Sequence, residues 1–234
     1  MTGDTYLAGL WKSKIVEGLC WAVTGRDDKS KRFNKAPRAP TWSWASMKGP
    51  TYIQTPWSGD FAPQHEIEVL DAWTRPNGTN PFGDAAVGEL KVRGRIKRAQ
   101  AWSVMTRGGV LQSGFGVASL FDPGIDLQNN HSAGYYMDGG VAHIYMDRLK
   151  FYTFQPWPVW VLPIVSYRPI VDGKEGGKKL CALVLTKVGD DTFAREGFLW
   201  RLSKGSNSQW DSKDEDGEVS WFGSGYEEVE IKII

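Results

Sequence analysis

Gly88-Glu-Leu-Lys-Val-Arg-Gly-Arg-Ile-Lys-Arg98 alternates apolar or glycine positions with charged ones from Gly88 to Lys97. Leu90, Val92 and Ile96 fall on one side, and Lys91, Arg93, Arg95 and Lys97 fall on the other. This is the period of a strand with one face on a core and one in water. Upstream, His65–Trp73 repeats the pattern, with Ile67, Val69 and Trp73 on one side, and Asn77-Gly78 with Pro81-Phe-Gly83 supplies the turn between the two runs. Downstream, strands are predicted over 134–137, 141–146, 159–165, 180–186, 192–202 and 229–234. Leu180-Cys-Ala-Leu-Val-Leu-Thr186 is apolar at both parities and reads as a central strand. Residues 106–134 are glycine-rich and yield no clear element, and 211–218 form an acidic surface loop.

At the N-terminus, Leu7, Trp11, Ile15 and Leu19 recur at steps of four, widened by Leu10, and Asp4 or Thr5 can cap them, which predicts a helix over 4–21. The fold expected is mainly β: a single antiparallel β-barrel or β-sandwich with one N-terminal helix packed on it, in one domain over 1–234 with its β-rich body at 41–234. Residues 25–40 are charged and punctuated by Pro37 and Pro40, hence a loop. In Thr41-Trp-Ser-Trp-Ala-Ser46 a strand reading puts Trp42 and Trp44 on one face.

Composition narrows function by exclusion. The 234 residues carry a net charge of +1, so no long-range field draws nucleic acid or an anionic membrane. No apolar run approaches the ~20 residues of a membrane span, and no basic start followed by an apolar stretch marks a signal peptide. Cys20 and Cys181 stand far apart in apolar runs, as small buried hydrophobes in a reducing compartment, so the expected location is cytoplasmic. His65, His131 and His143 show no metal-ligand spacing. Gly173-Lys-Glu-Gly-Gly-Lys-Lys179 lacks the spacer and final hydroxyl of a phosphate loop. Gly114-Phe-Gly116 lacks the third glycine of a dinucleotide site, and no Gly-x-Ser-x-Gly elbow occurs. The expectation is no cofactor and no metal.

The aromatic load stands out: 12 tryptophans, 10 phenylalanines and 8 tyrosines. Such rings present broad apolar faces with a polar tip, suited either to a thick core or to a pocket for an apolar ligand. The richest run is Phe151–Val161. Pro156 and Pro158 argue against a central strand there and put Trp157 and Trp160 at an edge or rim. Candidate binding residues are Tyr135, Phe154, Trp157 and Trp160 on one wall and Trp42, Trp44, Tyr52 and Trp57 on the other. Asp138 and His143, on adjoining strand-like runs, are the candidate acid/base pair.

Several stretches together resemble the region downstream of the signature domain in fungal heterokaryon-incompatibility proteins. They are Tyr6-Leu-Ala-Gly-Leu-Trp11, Leu19-Cys-Trp21, Arg38-Ala-Pro-Thr-Trp-Ser-Trp-Ala-Ser46, Gly88-Glu-Leu-Lys-Val-Arg-Gly94, Val161-Leu-Pro163 and Phe193-Ala-Arg-Glu-Gly-Phe198. They occur in the family's order and span most of the chain. Glu196 stands where the family pattern has valine, and the signature domain is not in the sequence. The resemblance implies either of two roles. One is an interaction or regulatory domain of an incompatibility-type protein. The other, by analogy, is a domain recruited to secondary metabolism as a cofactor-independent cyclase or isomerase of the pericyclic type, which orients an apolar metabolite in an aromatic-lined cavity. Orientation alone can contribute about 7–11 kcal/mol to such a reaction. The expected partner is that apolar small molecule, with a homodimer as an assembly the sequence permits, and neither nucleic acid nor membrane span.

Overall fold

In a computed structural model, the chain builds a nine-stranded sheet with a small N-terminal layer packed on it. The structure describes residues 3–23, 31–32, 37–48, 51–53, 63–103, 117–121, 142–147, 157–168, 170–171, 174–175, 178–202 and 226–234. The N-terminal layer holds β1 (Tyr6–Leu7), β2 (Leu10–Trp11), helix α1 (Ile15–Gly18), β3 (Trp21–Val23), β4 (Lys31–Arg32), β5 (Met47–Lys48) and β6 (Thr51–Ile53). The body follows with β7 (Gln64–His65), β8 (Ile67–Arg75), β9 (Val87–Ser103), β10 (Val117–Phe121), β11 (Ala142–Met146) and β12 (Trp157–Tyr167). It is completed by a small hairpin, β13 (Ile170–Val171) and β14 (Lys174–Glu175), then β15 (Lys179–Lys187), β16 (Thr192–Leu202) and β17 (Glu227–Ile233). The mainly-β expectation holds.

The pairings run in a circuit, β9–β10–β11–β16–β15–β12 and back to β9, each pair antiparallel. β9, β10 and β11 neighbour one another in chain order and β12 returns beside β9, which is Greek-key connectivity. Of the two architectures expected, the circuit is the barrel. β9 is long enough to serve two neighbourhoods. Its first half pairs with β8 and β17, and its second half with β12 and β10.

β12 and β15 bury both of their faces, as expected for 180–186. One face carries Leu162, Ile164, Cys181, Leu183 and Leu185 and joins Leu90, Val92, Ile231 and Ile233 in the main core, which the N-terminal layer covers with Leu7, Leu10, Ile15, Leu19 and Trp42. The opposite face carries Val159, Val161, Ala182 and Val184, and the register sets them beside Ala99, Ala101 and Leu199. We call this the inner face, the one around which β10 and β11 complete the circuit.

The expected helix over 4–21 shrinks to α1. Residues 6–11 form a hairpin instead, because Ala8 and Gly9 both adopt positive φ, 48° and 101°, as a two-residue hairpin turn demands. Asp4 does not cap a helix; its carboxylate accepts from the Ser13 hydroxyl at 2.6 Å and closes the hairpin's base. Residues 41–46 form no strand either. The Ser43 hydroxyl accepts from the Ala45 N–H at 3.0 Å and starts a turn of 3-10 helix, so Trp42 and Trp44 part company.

Two further departures come from sheet geometry. The register of β8 shifts between Val69 and Asp71, so Ala72 takes the buried position and Trp73 turns outward. β12 is central despite its prolines. Pro158 lies where β12 pairs only with β9, since β15 joins at Trp160, and Pro163 borders a register shift, so neither site needs the missing donor.

Candidate functional site

The expected aromatic walls do not come together as two sides of one hollow. Trp42 is wholly buried in the main core, and its indole N–H has no acceptor among the described residues. Trp44 is held on the β1–β2 turn, where its Nε1–H donates to the Gly9 carbonyl at 2.9 Å. The ring occupies the space a side chain at position 9 would need: a Cβ there would sit 2.8 Å from it. Trp157 and Trp160 are three residues apart on β12 and so take opposite faces. Trp160 lies toward the main core, edge-on to Phe193 at 5.8 Å, with the Arg98 guanidinium 5.9 Å from its ring centroid. Trp157 pairs with Ala101 on the inner-face ladder.

His143 lies in β11 opposite Ser119 of β10, and Tyr52 in β6 opposite Ala22 of β3. Trp57, Tyr135, Phe154 and Asp138, the acid/base partner expected for His143, lie outside the described residues.

Sequence reasoning missed the most distinctive residue of the inner face. Lys97 was expected in water; it is only 7% exposed, paired with Val161 on the same side as Ala99–Val159 and Ala101–Trp157. The solvent face of β9 ends where its neighbours in the sheet change from β8 and β17 to β12 and β10. Beyond Ile96 the odd positions turn into the circuit with β12. The available signal was the change from Lys91, Arg93 and Arg95 to Ala99 and Ala101 at the same parity.

A second buried cation organises the joint between the layers. The Arg195 side chain is buried with that of Asp147, Nε to Oδ2 at 3.0 Å. Nη1 donates to the Leu19 carbonyl at 2.8 Å, Nη2 donates to the Trp21 carbonyl, and the guanidinium lies 3.4 Å above the Trp21 ring centroid. The Trp21 indole in turn donates to the Trp42 carbonyl at 3.0 Å. Each nitrogen of the fork donates to an acceptor and the guanidinium lies over an aromatic ring, which is how a buried arginine is tolerated. This cluster binds β16, the residue after β11 and the N-terminal layer into one unit, a structural task rather than a reactive one.

Glu66 is a further charge whose side chain is held largely out of water. It meets Lys178 at 2.7 Å and Arg95 at 2.9 Å. Burial works to raise its pKa, but hydrogen bonds from Lys178, Ser166 and Arg95 outweigh that and hold the carboxyl below the ordinary glutamate range. Burial also pushes the Cys20 thiol well up, with Cys181 adding to the effect. Neither group is poised as a nucleophile.

Among the described residues no three His, Cys, Asp or Glu side chains gather as metal ligands, and no helix is long and apolar enough to cross a membrane. An exposed aromatic cluster does exist on the hairpin: Tyr6 packs edge-on to Trp11 at 5.5 Å and to Phe82 at 5.0 Å, with Trp11 46% and Phe82 62% exposed. No family model, curated protein or solved structure matches the chain.

Proposed function

We propose that the chain holds an apolar small molecule against the inner face of the barrel, with Trp157 as its aromatic contact, and orients it for a cofactor-independent cyclisation or isomerisation. The observation that carries this reading is the composition of that face: Ala99, Ala101, Val159, Val161 and Ala182 are small, buried and contiguous in register. Small side chains in a barrel interior leave space that larger ones would fill. The chemistry asked of the protein is confinement to one conformer, which needs no nucleophile. The aromatic contribution here comes from Trp157, while Trp42 and Trp44 serve the fold. The test is incubation with a panel of linear polyene and terpenoid precursors, following tryptophan emission and product formation, for the parent protein and Ala101→Leu. Binding and turnover that Ala101→Leu abolishes would support the reading. No emission change and no rate enhancement across the panel would end it.

A second reading is favoured by the exposed Tyr6–Trp11–Phe82 cluster: an interaction domain related to the downstream region of heterokaryon-incompatibility proteins. Its support is that the resembling stretches meet in space. Ser43 and Trp44 bond the Ala8–Gly9 turn, Pro40 lies against Gly88, and Arg195 lies against Trp21. Co-purification of a partner that the double variant Trp11→Ser/Phe82→Ser no longer retains would favour this reading over the first. Retention by the double variant would count against it.

A further inference from the structure

The loop between β8 and β9 holds an Asn-Gly step. Of the six asparagines in the chain, Asn77 alone precedes glycine. The loop is clamped at its base, where the Asn77 N–H donates to the Asp84 carbonyl at 2.7 Å, and again inside, where the Gly83 N–H donates to the Asn80 carbonyl at 3.0 Å. Asn77, Gly78 and Thr79 are all exposed. Among the described residues nothing accepts from the Gly78 N–H, and nothing bonds the Asn77 carboxamide. A Cβ at Gly78 would meet nothing within 4 Å, so the space beside its nitrogen is open. Asn80 is the contrast within the same loop. Its carboxamide oxygen accepts from the Phe82 N–H at 3.0 Å, and Pro81 after it has no N–H.

We propose that Asn77 is a site of spontaneous modification, deamidating through a cyclic imide with Gly78, and that the folded turn permits this at Asn77 while Asn80 is spared. The Gly78 nitrogen gives its proton to solvent base and attacks the side-chain carbonyl carbon of Asn77. A C–N bond forms, the bond to the amide nitrogen breaks, and ammonia leaves. Water then opens the imide at either of its carbonyls, giving aspartate or isoaspartate. One water enters, one ammonia departs, and nothing is oxidised. Glycine favours the attack because no Cβ hinders its nitrogen and its backbone reaches conformations that other residues resist. The unbonded carboxamide can turn toward that nitrogen without breaking a contact. The isoaspartate branch adds a carbon to the backbone inside the loop that Asn77 and Asp84 close. That loop also brings Asp84 to Arg38 at 2.9 Å and the Phe82 ring to within 5.0 Å of the Tyr6 ring. The change therefore falls beside the exposed aromatic cluster.

The experiment ages the full chain in neutral and in mildly alkaline buffer and maps its peptides by mass spectrometry, beside Gly78→Ala and beside the parent in urea. The parent should gain the mass of an amide-to-acid exchange at Asn77, resolve into two chromatographic products, and react faster in the alkaline buffer. That gain separates the reaction from isomerisation at aspartate, which leaves mass unchanged. Gly78→Ala fits the open space and should keep the native circular dichroism, yet slow the reaction about tenfold, the effect of roughly 1.4 kcal/mol on the barrier. Asn80 should stay intact throughout. Ageing of Gly78→Ala at the parent's rate overturns the proposal. So does a parent that modifies Asn77 only in urea, or one whose ageing is confined to other asparagines.

Discussion

The guanidinium of Arg195 lies face-on to the indole of Trp21, 3.4 Å from the ring centroid, while its edge bonds Asp147 and two carbonyls of the N-terminal layer. An arginine on the barrel thereby completes the backbone bonding of a segment 174 residues earlier in the chain. The contact is the buried polar link between two packing layers that also meet through apolar surface and through bonds at Thr41 to Arg195 and Ile234.

Arg195→Met should be severely destabilising, because it leaves a buried carboxylate without its guanidinium and removes the donors to the Leu19 and Trp21 carbonyls. The expected loss is about 3–5 kcal/mol, read from urea unfolding. Arg195→Met combined with Asp147→Leu should recover part of it, since the uncompensated charge is gone. Equal losses in the single and double variants would contradict this account.

Gly9→Ala should lower stability by about 1–3 kcal/mol through its left-handed backbone, with a further loss from displacing the Trp44 ring. Ser43→Ala, which removes the hydroxyl that bonds both Ala45 and Ala8, should cost about 0.5–2 kcal/mol. Thermal unfolding measures both, and the two should be less than additive because they act on one contact.

Glu66 makes stability depend on acid. Its carboxyl titrates lower in the folded chain than in the unfolded one, so its contribution is fully present above the unfolded value of about 4.3 and is lost as pH falls through the folded value. Glu66→Gln should flatten the acid limb of the stability curve below that point and leave its slope near neutrality unchanged. Urea midpoints between acid and neutral pH check this.

Cys20 and Cys181 are buried in the main core, and burial raises the Cys20 thiol. A colourless thiol in a packed core reacts only when the core opens. Disulfide-exchange reagents should therefore label neither cysteine in the native protein and both in denaturant, and fast native labelling would contradict the packing described.

Period-two alternation marks β8 and β9, and the doubly apolar run at 180–186 marks a central strand, because burial on two faces leaves its mark directly in composition. β10 falls in the glycine-rich stretch 106–134 that yields no element, and the expected strand over 134–137 lies outside the described residues. The N-terminal layer was misread for a local reason: spacing by four fits Leu7, Ile15 and Leu19, but the turn at Ala8–Gly9 lets a hairpin bury the same leucines. Trp42 and Trp44 were separated by one hydroxyl at Ser43, and Trp73 was turned out by a register shift. Neither leaves a periodic signal. Lys97 was lost because periodicity tells which residues share a side, whereas which side meets solvent depends on strands that pair from far along the chain. The Arg195–Asp147 pair was hidden for the same cause, its partners being remote in sequence.

The change of sides along β9 also sets a rule for its length. Substitutions at Glu89, Lys91 and Arg93 before Ile96 and at Arg98 and Gln100 after Lys97 fall on exposed or partly exposed sites and should be absorbed. An added or deleted residue anywhere between Leu90 and Ala101 would exchange the core leucine and valine for lysine and arginine on one side of the insertion. β9 therefore works as a ruler shared by two hydrophobic compartments, tolerant of spelling and intolerant of spacing.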